Sequence, residues 1–437
     1  MIFWILSVIG VLLIFVYKAR KTEKNYKKIL YIYLVVWAVV MIMSSFGFYE
    51  MEVPSDYSYT LFLIHLVGFI FGAILIPTSS VSKASSSDYL LKKIENSIVK
   101  ILESPLFRAI LVLMSLYVTY LFSMYWAKVM IYNTMSETRS QIVEIYGSLY
   151  YNFARPLLFL PFSMVCYVLF GYAIFKKRDW VCFLMGYMLL VNASLTGGRF
   201  GYVFIFVGIV FVNIFIIKIK FRKYLLKFAL GVGILYVLIV LTTTFRSGTI
   251  SLDHNNVENG IEVANEHIVT YMVGSQAAFD YAIENDYLTK LGGYGYGVCT
   301  FSPLVFLVDL CTTIFGGFHL NSTNIKLITH LEDDKIYLEG GTKGWNALYT
   351  SVIFYYMDAG IIGVFLFPFI LGILSSLLIG KMLNSGSVII FALCGYFFIC
   401  LIKSLFKMEI FWGYDTLAIL VMYIVGYLKD KKHGIKQ

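Results

Sequence analysis

The sequence predicts an all-α polytopic membrane protein with about eleven transmembrane helices and one large extracytoplasmic loop that contains short amphipathic helices. Hydrophobic residues make up 59% of the chain and charged residues 14%, whereas about a quarter of a soluble domain is charged. The mean hydropathy is +0.78. The apolar runs have the length of a membrane-crossing helix, roughly 17 to 25 residues, and lack the alternation that marks an outer-membrane barrel.

The apolar runs set the order of the elements along the chain. The first begins at Met1 without a basic segment or a cleavage site, so we expect a retained helix rather than a removed signal. The chain then divides into residues 1–241 with eight spans, the loop 242–349, and residues 350–437 with three spans and a tail. The predicted spans are 1–17, 29–48, 59–77, 108–126, 156–175, 180–196, 201–217, 224–241, 359–380, 387–402 and 411–428.

The basic residues predict the orientation of these spans. The segments after the odd-numbered spans, including the C-terminal tail, carry 24 of the 35 Lys and Arg residues. Cytoplasmic segments are the ones enriched in Lys and Arg. The N-terminus and the large loop are therefore predicted outside and the C-terminus in the cytoplasm. The net charge of +9 then reflects topology, and no nucleic-acid partner is predicted.

The loop 242–349 is too long and too polar to be an ordinary connection. Apolar residues at helical spacing between 257 and 272 predict an amphipathic helix. The apolar patch 304–315 is too short to span and is predicted at the interface or packed on that helix. Cys299 and Cys311 share the loop and are open to pairing there. The glycine-rich segment 292–297 follows no strand, so it predicts an aromatic-studded loop rather than a nucleotide site.

Arg199 is the first candidate functional residue. It closes the turn TGGR, residues 196–199, between two apolar runs, and Gly197 and Gly198 suit so tight a turn. An arginine in this position is desolvated unless an anion neutralises it. The alternative is an arginine that extends to lipid headgroups. The glycine turn lacks long polar flanks, which favours a functional role.

Arg246 follows the eighth predicted span and lies on the same outer surface as Arg199 in this topology. Arg155 and Arg139 lie on that surface too, and for these two an interfacial anchor is the competing interpretation. Several guanidinium groups suit a phosphate or diphosphate, because the planar fork binds oxyanions bidentately and keeps its proton.

A general base, which would deprotonate a hydroxyl, has four candidates. They are Asp358, His319, His330 and Glu339. Asp358 stands at the mouth of an apolar helix, where capping the helix is the alternative role. The other three can equally be solvated loop residues, because their spacing matches no metal motif. No metal and no cofactor is predicted.

Three features together resemble the O-antigen polymerase family, the oligosaccharide repeat-unit polymerases of bacterial envelopes. The first two are the TGGR turn and the long outer loop opened by Arg246. The third is WNALYT at 345–350 followed by YMDAGIIG at 356–363, close to the family's Asn-x-x-Tyr-Thr and Asp-Phe-Gly pattern. Ala359 replaces the Phe of that pattern. The residues that support the resemblance, besides the arginines, are Gly197, Gly198, Asn346, Tyr349 and Gly360.

The resemblance implies a metal-independent glycosyltransferase of the bacterial inner membrane. It would transfer a growing glycan from undecaprenyl diphosphate to the next lipid-linked repeat unit. Both partners, donor and acceptor, are lipid-linked oligosaccharides held in the membrane, and a separate chain-length regulator is a further expected partner.

Two other functions remain open at this stage. An O-antigen ligase would share the arginines and the loop. A flippase or other transporter for lipid-linked oligosaccharides is disfavoured, because transporters place ionisable residues near the midplane and break their helices there. Here the apolar runs are almost free of charge.

Overall fold

The computed structural model describes a chain that is helical apart from turns and one short pair of strands. The described residues are 4, 7–8, 10–12, 28–76, 84–132, 135, 138, 141–147, 150–195, 200–218, 221–247, 254–302, 304–305, 308, 311–312, 336–338, 343–345, 350–406 and 413–434.

The elements follow one another in chain order as helices of very different length. They are α1 (Lys28–Ser44), a 3₁₀ turn (Phe48–Glu50), α2 (Asp56–Leu75), α3 (Ala84–Glu103), α4 (Pro105–Tyr132), α5 (Ile142–Tyr146), a π-helical segment (Tyr150–Phe159), α6 (Leu160–Lys176), α7 (Trp180–Ser194), α8 (Phe200–Val212), a second π-helical segment (Asn213–Ile217), α9 (Phe221–Ser247), α10 (His254–Glu284), α11 (Tyr287–Lys290), β1 (Ile336–Leu338), β2 (Lys343–Trp345), α12 (Ser351–Ser385), α13 (Val388–Lys403) and α14 (Gly413–Gly434).

Apolar helices of membrane-crossing length are present, as the composition predicts. Among the described residues, four helical segments are long and apolar enough to cross a bilayer: Asp56–Leu75, Pro105–Tyr132, Phe153–Lys176 and Ser351–Ser385. Shorter apolar helices of 10–17 residues fall on six more of the predicted spans. The prediction of a helical chain is therefore confirmed for the described residues, and its apolar helices are consistent with a membrane protein. The first predicted span, 1–17, is described only in part.

Several helices begin where the local sequence offers a cap. The Ser55 hydroxyl accepts the N–H of Ser58 at the start of α2, and the Asp179 carboxylate accepts the N–H of Cys182 at the start of α7. Such side chains satisfy N–H groups that have no partner within the helix. Pro105 is the first residue of α4, where its missing N–H costs nothing.

The chain divides into two compact units. The first unit comprises residues 1–84, 267–381 and 400–417. In it α2 and α12 approach so closely that a Cβ on Gly72 would lie 1.9 Å from the Phe369 carbonyl oxygen, and one on Gly68 2.5 Å from that of Phe365. Residue numbers at successive contacts increase along both helices, so the two helices run parallel. Small residues at such a crossing are typical of membrane helix pairs.

The second unit comprises residues 85–266, 382–399 and 418–437. Here α6 and α8 also run parallel, since Gly208 packs on Tyr167 and Gly171 packs on Ile209 and Val212. The helix between them, α7, packs against the start of α8.

The loop region is more regular than its sequence indicates. The amphipathic helix predicted at 257–272 is confirmed and extends to 31 residues as α10. β1 and β2 form an antiparallel pair, Ile336 opposite Trp345, that the sequence did not indicate. Neither Cys299 nor Cys311 forms a disulfide, so the pairing considered above is not made.

Candidate functional site

One hydrophobic cluster in the second unit joins the parts of the chain that carry the predicted diphosphate-binding arginines. We call it the arginine-flanked cluster. Its buried members are Val118, Leu121, Tyr125, Val129, Met135, Ile142, Ile145, Tyr146, Tyr150, Phe159 and Leu195, and the partly buried residues packed on them include Trp126, Ala154, Val191 and Phe245.

Two of the arginines are close in sequence to cluster residues in the segment between α4 and α6. Met135 and Ile142 stand on either side of Arg139 in the sequence, although Arg139 itself lies outside the described residues. Ala154 directly precedes Arg155, whose side chain is half-buried within the π-helical segment. A π-helical segment inside helical structure is often found at a functional site.

The other two arginines follow cluster residues that lie at the C-terminal ends of α7 and α9. Leu195, four positions before Arg199, is one of its buried members, and Phe245, directly before Arg246, packs on it. Arg199, Gly197 and Gly198 lie outside the described residues. Arg246 belongs to the last turn of α9, and its side chain is not among those described.

Side-chain hydrogen bonds hold the helix ends next to these arginines. The Tyr146 hydroxyl donates to the Leu195 carbonyl at 2.7 Å. The Tyr202 hydroxyl lies 2.9 Å from that of Ser194 and 3.4 Å from that of Thr242, which links α7, α8 and α9. Sequence reasoning missed Tyr146 and Tyr202, because their partners Leu195 and Thr242 are 49 and 40 positions away in the chain.

A second candidate site lies in the first unit, where α12 is interrupted. Ala359 (φ −156°, ψ 26°) and Gly360 (φ 59°, ψ −143°) depart from helical geometry. The break frees the carbonyls of Met357 and Asp358, and these accept the N–H groups of Gly295 (2.9 Å) and Tyr296 (3.0 Å). The glycine-rich segment predicted as a loop is therefore bound to the helix break by its backbone.

Asp358 completes this contact with its side chain. Its carboxylate is fully buried and accepts the N–H of Cys299 on one oxygen (2.9 Å) and the N–H of Thr300 on the other (2.6 Å). Burial, followed by the Asp358 charge, raises the pKa of the Cys299 thiol. The carboxylate thus caps a neighbouring segment instead of the start of its own helix, which begins at Ser351.

Glycines are required on both sides of this contact. A Cβ on Gly295 would lie 2.7 Å from an Asp358 carboxylate oxygen, and one on Gly360 would lie 2.9 Å from the Tyr294 hydroxyl. The positive φ of Gly360 independently disfavours any other residue there. Tyr294 and Tyr296 remain 44% and 87% exposed, so the docked segment presents two aromatic rings at the surface.

A further acidic contact in the first unit was missed by sequence reasoning. The Asp280 carboxylate accepts the backbone N–H of Ser55 at 2.9 Å and also the Ser55 hydroxyl. The charge of Asp280 raises the pKa of Glu284, one turn further along α10. A separation of 225 residues between Ser55 and Asp280 leaves no local signal for this pairing.

His65 lies in the interior of the first unit and is completely buried. Its Nε2 is 2.8 Å from the Tyr33 hydroxyl, and its ring stacks on Tyr355 and packs against Trp37. Its Nδ1 has no hydrogen-bond partner. The residue is therefore satisfied on one nitrogen only.

The remaining predicted site residues cannot be placed. His319, His330, Glu339, Asn346 and Tyr349 lie outside the described residues. Among the residues that are described, no three His, Cys, Asp or Glu side chains form a group that could hold a metal ion. Asp358 belongs to the first unit, and the four arginines belong to the second.

The sequence matches no family model, and comparison with curated proteins and with solved structures finds no match either.

Proposed function

We propose that this chain is a glycosyltransferase of the bacterial inner membrane that polymerises oligosaccharide repeat units carried on undecaprenyl diphosphate, to build O-antigen or a similar surface polysaccharide. The observation that carries the proposal is the arginine-flanked cluster. Residues within four positions of Arg139, Arg155, Arg199 and Arg246 in the sequence all pack into one core. The described segments next to these four arginines therefore meet in one region, which supports a shared site for a doubly charged ligand.

The proposed reaction transfers a glycan between two lipid-linked substrates. A hydroxyl of the acceptor sugar attacks the anomeric carbon of the donor, and the bond from that carbon to the diphosphate oxygen breaks. Undecaprenyl diphosphate leaves with the bonding electron pair. The arginines stabilise the charge that develops on it, since fixed cations in a site of low dielectric constant favour such a transition state. The acceptor proton passes to a general base.

The base is best sought among His319, His330 and Glu339. Asp358 was the fourth candidate, and its catalytic role stays a prediction of the sequence. Its two oxygens already accept backbone N–H groups, and no part of it is exposed. A general base has to come within hydrogen-bond reach of the proton that it removes. This geometry favours a positioning role for Asp358.

The proposal includes the full topology: eleven spans, the loop 242–349 and the N-terminus outside, and the C-terminal tail in the cytoplasm. Two helix pairings support it. In the first unit α2 and α12 are parallel, and in the second α6 and α8 are parallel. These helices correspond to predicted spans three and nine and to spans five and seven, which must each cross in the same sense if all eleven exist.

The helix break in α12 is an observation that favours the transporter alternative, because transporters use interrupted membrane helices. Its position argues the other way. The part of α12 after Gly360, residues 361–385, is as long as a complete span. The break then falls at the end of the span instead of the midplane, where transporters bind their substrates. A ligase would share the arginines and the loop with a polymerase, so an experiment has to distinguish the two.

The decisive experiment replaces Arg199 with Ala in a strain that lacks the native protein and displays the surface glycan on a gel. For a polymerase we expect lipid A core with a single repeat and a loss of the ladder by about a hundredfold, the usual cost of removing one transition-state donor. Arg199→Lys should fail as well, because an ammonium group lacks the bidentate fork.

Arg178→Ala is the matched control. Arg178 lies in the same unit, away from the arginine-flanked cluster, and its Nε donates to the Ile174 carbonyl. It should leave the ladder intact. Complete loss of surface repeat in Arg199→Ala would indicate a flippase, and long glycan retained on the lipid carrier would indicate a ligase. A normal ladder in Arg199→Ala would refute the proposed role of the arginine.

A further inference from the structure

A cavity in the second unit lies apart from the residues of the arginine-flanked cluster. It has a volume of about 290 Å³ and is formed where α3 meets the second π-helical segment. Its lining residues are Leu91, Lys92, Glu95, Phe215, Ile216 and Lys218. The lining therefore combines two cations, one carboxylate and three apolar side chains.

The sequence around the cavity places it at the edge of the bilayer. The apolar helix Gly201–Ile217 ends directly before Lys218, so Phe215 and Ile216 belong to its last apolar turn. The parallel helix α6 ends at Lys176, and Tyr172 in its last turn donates a hydrogen bond to Glu95 at 3.3 Å. Two apolar helices thus end at the level of this cavity.

α3 has the character of a helix that lies along a membrane surface. One face buries Leu91, Ile94, Ile98 and Leu102, while Lys92, Lys93 and Lys100 are exposed on the other. Its composition is too polar for a span, and helices with an apolar face and a lysine-rich face lie in the interface plane. Lys92 and Glu95, one helical turn apart, face the cavity from this helix.

We propose that this cavity binds the headgroup of phosphatidylethanolamine from the surrounding leaflet. Lys92 and Lys218 hold the lipid phosphate by charge-assisted hydrogen bonds. Glu95, oriented by Tyr172, accepts hydrogen bonds from the primary ammonium group. Leu91, Phe215 and Ile216 cover the glycerol backbone and the first methylene groups of the acyl chains.

The carboxylate selects this headgroup over the alternatives. A purely anionic lipid such as phosphatidylglycerol satisfies the two lysines but brings no cation to Glu95. Phosphatidylcholine carries a cation, but its quaternary ammonium has no N–H to donate. Phosphatidylethanolamine alone of the three presents a phosphate together with a hydrogen-bonding ammonium, and this matches the signs of charge that line the cavity.

The test measures lipid binding to the purified full-length protein in detergent by native mass spectrometry, titrating each of the three lipids separately. We expect phosphatidylethanolamine to bind at least tenfold more tightly than the other two. Lys92→Ala and Lys218→Ala should each lower its affinity about tenfold, the equivalent of about 1.4 kcal/mol for one charge-assisted hydrogen bond. Lys100→Ala, on the same helix but not in the cavity wall, should change nothing.

Glu95→Gln provides the sharpest result. It keeps an acceptor for Tyr172 but removes the negative charge, so we expect it to reverse the preference to phosphatidylglycerol. Equal binding of all three lipids by the unmodified protein would overturn the proposal, as would unchanged selectivity in Glu95→Gln. Displacement of the lipid by inorganic phosphate at constant ionic strength would show a site for a free anion, and would also overturn it. None of these measurements depends on glycan synthesis.

Discussion

The helix break in the first unit and the arginine-flanked cluster in the second use charge in opposite ways. At the break one carboxylate, that of Asp358, is completely buried and both of its oxygens accept backbone N–H groups. At the cluster the arginine positions lie beside the core residues in the sequence, and the core itself is apolar and aromatic. A buried charge with all its partners inside the protein maintains structure. Charges at the edge of a hydrophobic core can bind a ligand.

An ionisable residue beside an apolar run can therefore either maintain the structure or bind a ligand. Only its contacts in the folded protein distinguish the two roles. Asp358 and Arg199 both stand beside an apolar run, and both are functional candidates by that criterion alone. For Asp358, the backbone N–H groups of Cys299 and Thr300 bind both carboxylate oxygens inside the protein. For Arg155, the side chain is half-buried and follows Ala154, which packs on the arginine-flanked cluster. The following variants test this distinction.

The largest effect on stability is expected from Asp358→Ala. Two buried backbone N–H groups, those of Cys299 and Thr300, would lose their acceptor, and each costs about 1–3 kcal/mol. We expect a loss of about 2–6 kcal/mol, measured as thermal or denaturant unfolding in detergent. Asp358→Asn keeps one acceptor and should lose roughly half as much. If Asp358 were instead the general base, Asn would abolish glycan synthesis while the protein remained as stable as before.

Gly360→Ala tests the other half of the helix break. The positive φ and extended ψ of Gly360 are close to inaccessible to other residues, and its Cβ would press on the Tyr294 hydroxyl. We expect a loss of about 1–3 kcal/mol and faster proteolysis within the segment 292–297. Gly231→Ala is the control, because nothing lies within 4 Å of its Cβ. Equal stability of the two variants would mean that the break can return to a continuous helix.

The smallest change in stability is expected from Tyr146→Phe in the arginine-flanked cluster. It removes only the hydrogen bond to the Leu195 carbonyl, which contributes about 1 kcal/mol. Because Leu195 leads into the turn that carries Arg199, the same variant should shorten the glycan ladder although the protein stays folded. Tyr236→Phe, which removes a hydrogen bond to Asn265 away from the cluster, is the comparison. If both variants produced the same glycan ladder, the hydrogen bond at Leu195 would have no role in glycan synthesis.

Much of the architecture was predictable because it follows from local properties. The apolar run 201–217 became a helix over the same residues, and the spacing of Ile261, Ala264 and Ile268 correctly indicated α10. The span predicted from residue 359 begins where α12 breaks, since Asp-Ala-Gly interrupts hydrophobicity and helical geometry at the same place. In contrast, β1 and β2 were missed, as strands of three residues carry too little periodicity to detect.

The local sequence was enough to indicate a helical membrane protein and to mark the arginines as candidates. The reason is that the free-energy cost of placing polar groups in hydrocarbon applies to each segment separately. The folded structure was needed to show that Asp358 binds the backbone N–H groups of Cys299 and Thr300. It was also needed to show that sequence neighbours of all four arginines share one core. Those contacts join residues from about 10 to more than 100 positions apart, and their formation depends on the packing of whole helices, which no local pattern encodes.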